Sequence, residues 1–243
     1  MGRISSALAA LGAVAVIVAG PGTQAATAAP AQAADERGAL RAASAADQPE
    51  VCTGKFQGDA RLGPERLPKK WQKPVGPLLN RYHRTGKLSS QDFLKKYWEG
   101  PAESGGWKYP PNDGFGDVNG EVDKHPQRLA RGQKLDRFGS EYGSYLAPAG
   151  DAYAKRALPP QSLNTFDPAV PCNYRVYQVA KSFTVWQGGI APWFEQPGRG
   201  QQIKLDPAFL DPGQGQALNV KWLLDRGYLA PVATGPAPAQ PTT

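Results

Sequence analysis

Two arginines, Arg137 and Arg156, stand among four rings, Phe138, Tyr142, Tyr145 and Tyr153, within LDRFGSEYGSYLAPAGDAYAKRALPPQSL, residues 135–163. Guanidinium forks beside flat aromatic faces suit a ligand that carries both phosphates and flat heterocycles. The stretch has neither a helical nor a strand period. Gly139, Gly143 and Gly150 permit tight turns or close approach to a ligand, and Pro148, Pro159 and Pro160 stiffen the path. By composition alone, a surface loop with structural arginines fits as well. A second stretch, GGIAPWFEQPGRGQQ at 188–202, frames Trp193, Phe194, Glu195, Gln196, Arg199 and Gln202 with glycine and proline. An amide at a strand entry beside flat rings can orient a ribose or hold a water, although such a loop also reads as an ordinary β-turn region.

Other chemistries lack their residues. There is no Gly-x-Ser-x-Gly elbow, P-loop or HExxH. GQGQAL at Gly213 begins like a dinucleotide fingerprint, but Leu218 stands where the third glycine belongs. With His83 and His125 the only histidines, both outside the arginine-rich half, a histidine triad has no support. The two cysteines and two histidines have no zinc spacing. Asp113, Asp117, Asn119, Glu121 and Asp123 hint at a calcium loop but miss the EF-hand order, and a solvated acidic loop is the simpler reading. No metal is expected. Chemistry is left to arginine, glutamine, carboxylates and rings.

These residues need a scaffold. The chain has 243 residues, 40% of them hydrophobic, with 28 Gly and 24 Pro, which favours strands and ordered loops over a helical bundle. A formal charge of +7 favours acidic partners, among them phosphorylated small molecules. No recognition helix or finger motif points to nucleic acid. Arg3, the apolar run Ala7–Ala19 and the small-residue site Ala26-Thr27-Ala28 have the order of a secretory signal peptide, assigned to 1–29. A mature protein without a membrane segment, secreted to the extracellular side, is expected. Export makes a Cys52–Cys172 disulfide the economical reading of the two cysteines.

Residues 30–50 read as a disordered spacer and 51–132 as a helical and extended part. Leu78–Trp98 is its clearest helical region, with Ser89 or Ser90 as N-cap. Residues 105–120 form an ordered strap. Strands are expected at Lys134–Phe138, Asn173–Ala180, Phe183–Trp186 and Gln201–Leu205, and a short helix at Asn219–Arg226 capped by Gly227. Residues 133–231 form the catalytic domain, and 232–243 an unstructured tail. The fold class is α+β, an N-terminal helical and extended part packed on a small mixed-β core.

The segments DRFGSEYGSYLAPAG, RALPPQSL, YRVYQVAKSFTVWQGGIAPWFEQPGRGQQ and LLDRGYL, in this order, resemble the tuberculosis necrotizing toxin (TNT) domain family. CTGKFQGDARLGPERLP, PVGPLL and FLKKYW are similar to the N-terminal part that secreted bacterial and fungal members share. The resemblance implies a TNT-like fold and NAD(+) glycohydrolase activity: hydrolysis of NAD(+), and usually NADP(+), to nicotinamide and ADP-ribose or its phosphate. The dinucleotide is a substrate, and no cofactor is implied. Arg137 and Arg156 match the family's phosphate- and ribose-side arginines. Phe138 and Tyr145 match rings of the nicotinamide-ribose pocket, with Trp193 added as substrate-binding, and Gln202 matches the glutamine regarded as catalytic, with Gln201 and Gln196 as fallbacks. Some members carry a histidine in the strand where Asn173 and Arg175 stand here, which shifts any such role to Arg175. The resemblance allows a toxin role with an immunity protein as partner, and equally a surface enzyme or a nutrient scavenger. An ADP-ribosyltransferase or cyclase, and a non-catalytic secreted polyanion-binding module, are the competing readings.

Overall fold

The computed structural model describes residues 50–234. The expected leader, nearly all of the spacer and most of the tail lie outside them. Among the described residues, eleven strands and two α-helices are joined by 3-10 turns. In chain order they are α1 (Ser90–Tyr97), β1 (Trp98–Glu99), β2 (Gly106–Trp107), β3 (Asp117–Val118), β4 (Glu121–Val122), β5 (His125–Leu129), β6 (Lys134–Phe138), β7 (Tyr145–Pro148), β8 (Tyr174–Val179), β9 (Phe183–Gly189), β10 (Gln201–Lys204), α2 (Val220–Asp225) and β11 (Leu229–Val232).

Seven of the strands form one antiparallel sheet in the order β11-β8-β6-β7-β10-β9-β5. Prolines fall where a ladder tolerates them: Pro126 and Pro231 lie on the two edge strands and Pro148 ends β7. Alternation along the strands gives the sheet two buried faces. One carries Leu135, Leu146, Tyr177, Val179, Val185 and Ile203, closed by Val220 and Leu223 of α2. On the other, Phe138 and Tyr174 pack with Tyr153, Leu163, Val75, Leu78 and the Cys52–Cys172 disulfide. The disulfide thus ties the start of the described chain to the residues entering β8.

The described protein is mostly β-sheet with few helices, which corrects the balance expected from an α+β reading. Helix is formed over only the last third of the expected region. Ser89 caps α1 by accepting from the Asp92 N–H at 3.1 Å, but Gly76–Leu79 is a 3-10 turn. Between them, Arg81 and Gly86 both have a φ of 60°, which an α-helix cannot accommodate. The strand at Tyr145–Pro148 lies inside the stretch that shows no strand period, because both of its faces are covered and no polar alternation remains. Among the described residues no helix is long and apolar enough to cross a membrane.

Candidate active site

Strands β6, β7 and β10 lie side by side, although β10 is far from the other two in sequence. Register then decides which side chains share a face. Asp136 is opposite Ala147, Tyr145 opposite Lys204, and Gln202 opposite Gly188. Asp136, Phe138, Tyr145, Gln202 and Lys204 therefore project to one side of the sheet. The first four of these meet Arg156, Leu158 and Ile190 around a narrow cleft of about 60 Å³, bordered as well by Arg137, Leu146 and Ala147. This is well below the ~300–1,000 Å³ of ordinary small-molecule pockets.

Of the sequence-predicted residues, Phe138, Arg137, Tyr145, Arg156 and Gln202 are brought together here. Arg175 and Trp193 are not. Arg175 donates to the Gly139 carbonyl and to Asn173 Oδ1, each at 2.9 Å, and lies 3.8 Å from Glu141. Trp193 donates to the Lys108 carbonyl at 2.6 Å and packs on Tyr97. Next to it, Phe194 is buried among Phe93, Tyr97 and Trp107. The aromatic half of the second stretch thus anchors α1.

The two arginines differ in how their forks are spent. Arg156 is buried and pairs through both terminal nitrogens with Asp136, Nη2–Oδ2 being 2.8 Å. It also donates to the Asp151 carbonyl from Nη2 at 2.9 Å and from Nε at 3.2 Å. Asp136 is fully buried, and it accepts further from Tyr174 Oη at 2.8 Å and the Gly150 N–H at 3.0 Å. A buried carboxylate without such a partner would be very costly, so Arg156 is a counter-charge before it is anything else. Burial, and after it the nearby Asp136 charge, raises the pKa of the Tyr174 hydroxyl.

Arg137 leaves β6 on the Leu135 side and pairs across the ladder with Arg175. Its Nε donates to the Ser140 carbonyl at 2.7 Å and its Nη1 to the Tyr145 carbonyl at 2.6 Å. The fork lies so close to Gly143 that a Cβ there would collide with it. Among the described residues no carboxylate pairs with Arg137. Desolvation lowers its pKa, with the Arg175 charge acting in the same sense. A cation balanced only by carbonyl dipoles at the cleft border gains from an approaching anion.

The three glutamines sort by position. Gln196 is buried and donates to the His83 carbonyl at 2.6 Å. Gln201 points to the opposite side of β10 from Gln202 and meets Gln187 at 3.4 Å. Gln202 alone of the three borders the cleft, and its Nε2 donates to the Asp113 carbonyl at 2.9 Å.

Asp113 belongs to the strap and was legible in the sequence only as part of an acidic loop. Its carboxylate pairs with Lys204 at 2.7 Å. Burial of Lys204 works against its charge, but Asp113 outweighs this and raises its pKa. Tyr145, first through burial and then through Asp113, has its pKa raised too. Two other acids of that loop, Asp117 and Asp123, have protein partners of their own. Asp117 accepts from the Gly120 N–H at 2.8 Å and Asp123 from the Gly189 N–H at 2.9 Å. Asp113, Asp136 and Lys204 are the site residues that sequence reasoning missed. Asp136 sits beside Arg137 in the quoted motif, yet only the register reveals that it is buried.

Comparison with known proteins adds to this geometry. The family model described as tuberculosis necrotizing toxin, TNT, matches residues 128–232. The conidial surface nicotinamide adenine dinucleotide glycohydrolase nadA of Aspergillus fumigatus is 46% identical over 189 residues, covering 74% of this chain and 75% of that protein. Among solved structures, tuberculosis necrotizing toxin complexed with its immunity factor IFT aligns with a TM-score of 0.44 at 25% identity, over 59% of this chain and 71% of that one. Tse6 in complex with Tsi6 aligns with a TM-score of 0.29 at 16% identity, over 45% and 72%. On the strength of the relative that it matches over three quarters of that protein's length, the chain belongs to the tuberculosis necrotizing toxin family.

Proposed function

We propose that this protein is an NAD(+) glycohydrolase that hydrolyses the nicotinamide–ribose bond of NAD(+), and of NADP(+), outside the cell. The observation that carries the reading is the Gln202 amide lining a cleft with Phe138 and Tyr145, with Arg137, which pairs with no carboxylate among the described residues, at its border. The named activity of the 46% identical relative supports it.

The chemistry suits a site without histidine. The nicotinamide of NAD(+) is already cationic and leaves as a neutral molecule, so no general acid has to protonate the leaving atom, as an ordinary glycosidase requires. The C1′–N bond breaks with its electron pair going to the ring nitrogen. Water then bonds to C1′ and releases a proton to solvent. What remains for the protein is to support an oxocarbenium-like ribose, place that water and exclude the bulk. In this reading Gln202 holds the ribose hydroxyls or the water. Phe138 and Tyr145 flank the nicotinamide. Arg137, through N–H groups not used by Ser140 and Tyr145, draws in the pyrophosphate. Arg156 supports the wall by neutralising Asp136. Residues of the leader order at 1–29, the Cys52–Cys172 disulfide and the surface location in the relative's name support export.

The test is direct. The oxidised protein, incubated with NAD(+) and separately with NADP(+), should release nicotinamide and free ADP-ribose or its phosphate. A cyclic product or an ADP-ribosylated protein would move the reading to a cyclase or transferase. Gln202→Ala should lower kcat about a hundredfold with little change in Tm, and a variant with normal turnover would remove Gln202 from the role.

A further inference from the structure

Gln202 owes its orientation to a segment that lies outside the residues the family model matches. The turn Asn112–Gly114 is left-handed at three successive residues, with φ of 56°, 57° and 86°. Two of these are not glycine, a conformation that persists only where the surroundings enforce it. The surroundings are visible. Phe115, 2% exposed, bridges to Ile190, Gly116 donates to the Gly189 carbonyl at 2.8 Å, and Ala191 donates to the Gly114 carbonyl at 3.0 Å. The turn is thus stitched to the strand that borders β10.

It presents two things to Gln202. The first is the Asp113 carbonyl, 2.9 Å from Nε2. A carbonyl can only accept, so the amide's NH₂ must face it, and Oε1 is left free of that bond. The second is the bare Cα of Gly114: a Cβ built there would stand 3.1 Å from Oε1. The Lys204–Asp113 ion pair, at 2.7 Å, holds the same turn from the next residue on that face of β10.

We propose that the Asn112–Gly114 turn is a positioning device for the reaction. It fixes the Gln202 amide with its NH₂ on the Asp113 carbonyl and its oxygen left to accept, so that Gln202 acts as an acceptor toward water or a ribose hydroxyl. Asp113 and Gly114 are then positioning residues supplied by the N-terminal part of the chain. The proposal rests on the glycohydrolase reading above, and its test separates the two.

Gly114→Ala should lower kcat about tenfold or more with KM nearly unchanged, because the added Cβ and the strained φ displace Oε1. The same substitution made in Gln202→Ala should cost nothing further, since the group it acts through is gone. An unchanged kcat in Gly114→Ala, or an equal loss in both backgrounds, would overturn the proposal while leaving the glycohydrolase reading intact. Wild-type turnover in Gln202→Ala would instead remove Gln202 from the reaction, and the proposal with it. If Gly114→Ala does not fold, Gln202→Glu decides. It keeps an acceptor oxygen but cannot donate to Asp113 as a carboxylate, so it should lose as much turnover as Gln202→Ala. Retention of more than about a third of wild-type kcat, less than the tenfold that misplacement brings, would sink the proposal.

Discussion

Arg156→Met tests whether this arginine serves the ligand or the wall. The side chain is 3% exposed and that of its partner Asp136 is 0% exposed. In the variant, Asp136 keeps the Tyr174 hydroxyl and the Gly150 N–H but loses both guanidinium bonds and the counter-charge. Breaking one side of a buried pair costs about 3–5 kcal/mol. For a chain of this size each kcal/mol moves Tm by about 2–4 °C, so a fall of roughly 6–20 °C is expected. Asp136→Asn together with Arg156→Met should recover most of that loss, because no unpaired charge is then buried and the Met fills similar volume. Thermal unfolding followed by circular dichroism measures both variants, and nicotinamide release at a temperature where each is folded reports KM and kcat. The reasoning is refuted if Arg156→Met melts within about 2 °C of wild type, a shift below that of one kcal/mol, while KM for NAD(+) rises tenfold or more. That outcome would mean the guanidinium is held for phosphate.

Three further expectations use other parts of the fold. Gly143→Ala drives a methyl into the Arg137 fork, which must release the Ser140 or Tyr145 carbonyl. A loss of about 1–3 kcal/mol by urea denaturation is expected, whereas Gly106→Ala, where a Cβ meets nothing within 4 Å, should be silent. Glu195 is hydrogen-bonded by Lys96 at 2.7 Å and Tyr97 at 2.9 Å. The Lys96 bond first, against an opposing burial effect, lowers its pKa below the ordinary 4.5. A depressed folded pKa contributes stability that is complete above the unfolded value and is lost as pH falls through the folded one. The Tm gap between wild type and Glu195→Gln should therefore be present at neutral pH and close only below about pH 4.5; a gap that persists unchanged in acid would contradict the ion pair. Cys172→Ser opens a link between residues 120 apart. Loop-entropy arguments give up to about 4–5 kcal/mol for so long a loop, and an unchanged urea midpoint would show that the link is not formed.

Much of the site's content was legible in the residue types. Guanidinium forks and rings were visible as residue types, the linked motifs pointed to the family, and four strands were read from short β-like runs between turn residues. The cap of α1 was readable too, because Ser89 needs only its own neighbours to accept from Asp92. These features depend on local chemistry.

The remainder required the sheet. No pattern within one strand says that β6, β7 and β10 are adjacent, and so none could say that Phe138, Tyr145 and Gln202 share a side while Arg137 leaves by the other. Nor could composition separate Arg156, consumed by Asp136, from Arg137, which has carbonyls alone: both are arginines near rings until burial and pairing are known. Trp193 looked like a cleft wall because it is aromatic and near Gln202 in sequence, yet two left-handed residues, Phe194 and Glu195, turn the loop toward α1. Asp113, 89 residues before Gln202, reaches it only because the strap crosses the sheet. Residue chemistry acts over bond lengths and declares itself in the sequence, whereas partnership between distant residues is a property of strand register and packing, which arise when the chain closes on itself.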